Sequence, residues 1–152
     1  MAGGGSLAQS AAVNIATGAT FSVAAGGNQT IKDLTGGNGT NLILGNNATD
    51  VLSLGTANDI NFGGVISGKG GIAKQGSGTF TVSENNTYTG GTTVNAGTVN
   101  LTGSLAPIGT VTVNTGATFD LSNNLTAQTI GNLAGTGGEV KLNSFALILN
   151  AN

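Results

Sequence analysis

The chain has 152 residues, 28 of them Gly and one Pro; only 7% are charged, the net charge is −2, and Cys, His, Trp and Arg are absent. This length suits one domain with a buried core, but scarce helix formers and abundant Gly, Thr and Val oppose helix, and so low a charge does not fit charged disorder. The balance leaves no basic footprint for nucleic acid or an anionic membrane, and without Cys no disulfide can staple the fold.

Taken in order, Met1-Ala2-Gly3-Gly4 reads as a cloning remnant, and residues 1–12 lack the basic start and apolar middle of a signal peptide. Any export signal is therefore expected outside this chain. Strand-like runs follow at 13–15, 20–23, 41–44, 51–54, 79–82, 98–101 and 111–113, where Val, Ile, Leu or Phe alternates with Thr, Ser or Asn. Between them lie Gly-Gly, Asn-Gly, Thr-Gly and Asn-Asn turns. No run of about 18 apolar residues occurs, so no helical membrane span is expected.

The chain also repeats itself. Gly5-Ser6-Leu7-Ala8 recurs as Gly103-Ser104-Leu105-Ala106, and 98 positions separate the 13–21 run from the similar 111–119 run. With one position of slip, Gln29-Thr30-Ile31 meets Gln128-Thr129-Ile130. The reading is one long unit at 5–102 and the first half of a second at 103–152. Tandem repetition, small aliphatic residues and Asn at recurring turns favour a solenoid over an antiparallel sandwich. The expected fold is all-β, a single-stranded parallel β-helix of six to seven coils, a rod on the order of 30 Å long at about 4.8 Å per coil.

The stretch Ile72-Ala73-Lys74-Gln75-Gly76-Ser77-Gly78-Thr79 feeds a strand, then Asn86-Thr87-Tyr88-Thr89-Gly90-Gly91-Thr92 turns, and Val94-Asn95-Ala96-Gly97-Thr98 opens another strand. In order and spacing 72–101 resembles the autotransporter passenger-associated repeat, departing mainly at Glu84, where that family usually has Gly. The resemblance implies a right-handed β-helix carried to the outside of a Gram-negative cell. It also implies a stalk without an active site of its own.

The carboxylates Asp33, Asp50, Asp59, Glu84, Asp120 and Glu139 are scattered singly. A Ser-His-Asp arrangement is impossible without His, so the polysaccharide-degrading enzyme that a β-helix could be is the weaker expectation; it would need acids to meet across stacked coils. The 36–44 segment has the outline of a calcium β-roll nonapeptide, but it is a single copy with Asn41 where Asp is expected, and it reads as a Gly-rich turn. Thr-rich runs suit exposed strand faces before ice binding. Asn28, Asn38, Asn47 and Asn85 match glycosylation sequons, as an Asn- and Thr-rich chain will by chance. Tyr88 is expected to pack over its turn, and Phe21, Phe80 and Phe119 to enter the core. No catalytic, cofactor-binding or metal-ligating residue is assigned, and no cofactor is expected.

Two functional readings remain. One is a cell-surface stalk of an adhesin, touching an unnamed host or bacterial ligand through its neutral lateral face. The other is head-to-tail self-association through open strand edges, with the apolar run Phe145-Ala146-Leu147-Ile148-Leu149 beside one end. Neither predicts nucleic-acid binding or membrane insertion.

Overall fold

A computed structural model describes residues 12–25 and 27–150. The first repeated tetrapeptide, the four leading residues and Asn152 lie outside it.

The chain winds in triangular coils. The first holds β1 (Val13–Ile15), β2 (Thr20–Ser22) and β3 (Gln29–Thr30); the second β4 (Leu34–Gly36), β5 (Asn41–Ile43) and β6 (Val51–Leu54); the third β7 (Ile60–Phe62), β8 (Val65–Ser67) and β9 (Gly71–Lys74). The fourth and fifth keep only two strands each, β10 (Thr79–Val82) with β11 (Thr92–Val94), then β12 (Thr98–Leu101) with β13 (Thr110–Val113). β14 (Thr118–Asp120), β15 (Gln128–Ile130) and β16 (Asn132–Gly135) form the sixth, and β17 (Glu139–Lys141) and β18 (Leu147–Leu149) begin the seventh.

Every strand pairing is parallel. One face is the seven-stranded sheet β1-β4-β7-β10-β12-β14-β17 and the next a six-stranded sheet from β3 to β16. The third is interrupted: β2-β5-β8 at one end, β15-β18 at the other, and between them a single bridge from Asn85 to Ser104. The described part is an all-β parallel solenoid of about seven turns.

Alternation sends like onto like inside. Ile60, Phe80, Val99 and Phe119 stack on the first face, and all belong to one continuous core that also holds Leu34, Leu42, Leu52, Leu101 and Ile130. The expectation for Phe80 and Phe119 holds, whereas Phe21 is only partly buried against the core. Register partners stand 19 residues apart between Thr79 and Thr98 but 26 apart between Gly36 and Phe62. The extra length leaves as turns, such as 45–50, without breaking the stack.

The long sequence repeat does not keep phase with these coils. Its first copy places the 13–15 run on the seven-stranded sheet, yet the matching 111–113 run lies in β13 on the six-stranded sheet. Likewise β2 belongs to the interrupted face and its counterpart β14 to the seven-stranded one. The repeat is one face short of five coils. Such a shift is tolerated because all three faces ask for the same alternation of apolar and polar residues.

Candidate functional site

The corners between faces hold the polar chemistry. Where the six-stranded sheet turns into the seven-stranded one, successive coils present 32–33, 55–59, 75–78, 95–97 and 114–117. Lys74 lies here and is fully buried. Its Cα stands in register with Leu54 and Val94, both core residues, so its stem continues an apolar ladder. Its Nζ donates to the carbonyls of Gln75 and of Gly76, the latter at 2.8 Å. Burial lowers its pKa below the ordinary lysine value, and the charges of Asp33 and then Asp59 partly oppose this. The turn that wraps the ammonium requires Gly76: its φ is +66°, and a Cβ there would lie 2.3 Å from the Thr56 carbonyl oxygen of the coil below.

The two acids are the only pair brought to Lys74 among those the sequence scatters. Asp33 accepts from Thr56 Oγ1 at 2.8 Å and from Asn58 Nδ2 at 2.9 Å, while Asp59 accepts from Thr79 N at 2.7 Å. Each carboxylate thus holds a turn of a neighbouring coil. The others sit elsewhere: Asp50 accepts from Asn47 N, Asp120 from Ser122 N, and Glu139 forms an exposed ion pair with Lys141 at 3.8 Å. Among the described residues no three acids gather as metal ligands would. In the nonapeptide-like turn, Thr40 Oγ1 donates to Gly37 O at 2.8 Å, closing the turn on itself.

Higher in the same corner, Asn114 Nδ2 donates to Asn95 Oδ1 at 2.8 Å, and Thr136 Oγ1 reaches Asn114 Oδ1 at 3.4 Å. This is a side-chain ladder of the kind expected from Asn at recurring turns. On the interrupted face, amides replace missing strands. Asn86 Oδ1 accepts from Ile66 N at 2.9 Å while its Nδ2 donates to the carbonyls of Glu84 and Ser104. Gln128 exchanges two bonds of 3.1 Å with the backbone of Leu105, closing the pair that a neighbouring strand residue would make. These buried amides are satisfied on both ends, as burial demands.

Tyr88 is buried in the turn after β10, as expected, and shares a 2.5 Å hydrogen bond with Thr92 Oγ1. Burial pushes its pKa up to about 12, the bond to Thr92 acting the other way. The sequon asparagines are occupied: Asn28 accepts from Val51 N, Asn47 bonds Asp50, and Asn85 accepts from Ser104 Oγ.

Sequence reasoning missed Lys74 and Gln128. Lys74 follows Ile72 by two positions on β9, so strand parity pointed it inward. For Gln128 no comparable signal exists, because its partner lies 23 residues away across an irregular face.

Comparison with known proteins adds one finding. Residues 72–101 match the passenger-associated-transport-repeat family model. No curated protein and no solved structure matches the chain. The matched stretch spans β9 to β12, one and a half coils that include Lys74, Gly76, Asn86 and Tyr88. This repeat and the stacked parallel coils fit the β-helix repeat of an autotransporter passenger.

Proposed function

We propose that the chain is a non-catalytic stalk segment of an autotransporter-type adhesin, displayed on the bacterial cell surface. One observation carries the reading: the polar groups that a catalyst would need are spent on holding turns and joining coil to coil. Lys74, Asp33, Asp59, Asn86 and Gln128 all bond turns or neighbouring backbone. What the fold offers instead is stiffness, since each coil is locked to the next by a parallel ladder and a shared apolar core. The matched repeat supports the passenger assignment. An antibody raised against this chain should label intact cells of the parent organism; labelling that appears only after permeabilisation would remove the surface reading.

A second reading, end-to-end association, is favoured by where apolar side chains are exposed. Of the exposed large apolar side chains among the described residues, Leu142, Phe145, Ile148 and Leu149, 45–51% exposed, lie in the last described coil, while Ile108 and Leu125 stand singly in earlier turns. There β16, β17 and β18 each have a neighbour on one side only, the kind of edge that templates pairing. The mass of this chain by light scattering should rise with concentration, and Phe145→Asp with Ile148→Lys should hold it at the monomer value. A strict monomer at high concentration for the unmodified chain would refute this second reading and leave the stalk intact.

A further inference from the structure

On the outer side of the seven-stranded sheet, across its first four strands, an open groove of about 500 Å³ is lined by the side chains of Asn14, Thr35, Asn38, Asn61 and Ser83 above the bare backbone of Gly36 and Gly37. We propose that this groove binds a neutral oligosaccharide.

The floor is a by-product of packing. A Cβ on Gly36 would lie 2.8 Å from Thr40 Oγ1 and 2.9 Å from the Phe62 ring, so the inward side excludes any larger residue. Position 36 points inward, so it shows only backbone on the outward side, and with Gly37 beside it also bare a flat ring can approach the backbone there. The walls step up coil by coil, Asn14 in register with Thr35 and Asn61 with Thr81, giving a polar group at every rung of about 4.8 Å.

These groups, unlike the amides that bind coil to coil, are uncommitted and gathered along one groove. Asn86, Asn95, Asn114 and Gln128 are bound to neighbouring coils. Among the described residues, the side chains of Asn14, Thr35, Asn61 and Ser83 have no hydrogen-bond partner in the protein. Asn38 is the brace: with its amide oriented to satisfy both partners, it donates to Glu84 Oε1 at 2.9 Å and to Gly63 O at 3.0 Å. The free groups are amides and hydroxyls, each able to donate and accept, which is the pattern that sugar hydroxyls complement. No cation lines the groove, and Glu84 stands at its rim, so an anionic chain is disfavoured. Without an aromatic platform, affinity at this groove is low.

The test is a nuclear magnetic resonance titration of the whole 152-residue chain with cellotetraose, maltotetraose and chitotetraose, and with tetragalacturonate as the charged control. At least one neutral sugar should shift the side-chain amides of Asn14 and Asn61 and the backbone amides of Gly36 and Gly37. Asn61→Ala should weaken binding roughly fivefold, the loss expected from one hydrogen bond. Gly37→Leu, at a position where an added Cβ meets nothing within 4 Å, should abolish it by filling the floor. Thr112→Ala, on another face, should change nothing. No response to any neutral sugar, an equal response to tetragalacturonate, shifts outside the groove, or full binding by Asn61→Ala would overturn the proposal. Asn61 is exposed on its strand, so that variant decides the matter even if Gly37→Leu fails to fold.

Discussion

Phe80→Ala should cost about 3–5 kcal/mol, the usual range for emptying a buried ring site. Phe80 is 1% exposed and sits between Ile60 and Val99 in the stack. No larger side chain can slide into the space, because every neighbour is pinned by the parallel ladder on both sides. A loss of that size is a large share of the roughly 5–15 kcal/mol that holds a domain together. In a solenoid the damage should also be local, since each coil is stabilised mainly by its neighbours. Hydrogen exchange should therefore accelerate first in β7, β10 and β12, and later in β1 and β17. Thr79→Ala, one residue earlier and facing outward, should change stability by no more than about 0.5 kcal/mol. A larger cost for Thr79→Ala than for Phe80→Ala would mean that the strand faces the other way, because a slip of one residue exchanges its inner and outer sets.

The second large effect is alkaline. Tyr88 has its pKa raised from 10.0 to about 12 by burial. The folded state therefore prefers the protonated phenol. The stability this contributes is fully present below pH 10 and is lost as pH rises from 10 toward 12. Two units correspond to roughly 3 kcal/mol. Lys74 acts in the opposite sense. Its folded pKa lies below the ordinary 10.5, so its contribution rises with pH up to that value and is constant beyond it. Between about pH 10.5 and 12 only the Tyr88 loss remains. The chain has one Tyr and no Trp, so phenolate absorbance reports this side chain alone. Phenolate should appear near pH 12, together with loss of the strand circular dichroism signal. Tyr88→Phe should remove this alkaline loss, at a neutral-pH cost of about 1–3 kcal/mol for the stranded Thr92 hydroxyl. A phenolate midpoint near 10 with the fold intact would contradict the buried position.

Much of the fold was legible because a solenoid asks the same question of every strand. Alternation in 79–82 and 98–101 gave both the strands and their inward residues, and the Gly and Asn turns marked the corners. The interrupted face was not legible in the same way. Between β8 and β15 it is built from Asn86, Ser104 and Gln128, whose side chains stand in for backbone, and periodicity carries no trace of that substitution. The candidate groove was equally hidden. Asn14, Thr35, Asn61 and Ser83 are ordinary outward residues on four different coils, and only the register assembles them. Nor could spacing alone show that Asp33 and Asp59 would flank Lys74, since that depends on how many residues each turn absorbs.

The mismatch between the 98-residue duplication and the winding of the chain has a consequence for how a longer array would face its surroundings. Each copied segment reappears about a third of a revolution away from its predecessor, because it lags by one of three faces. Any patch written into that segment would then be displayed along a spiral, pointing to a new azimuth with every duplication and returning to the first only after three. A fibre made this way would have no preferred side from which to be approached.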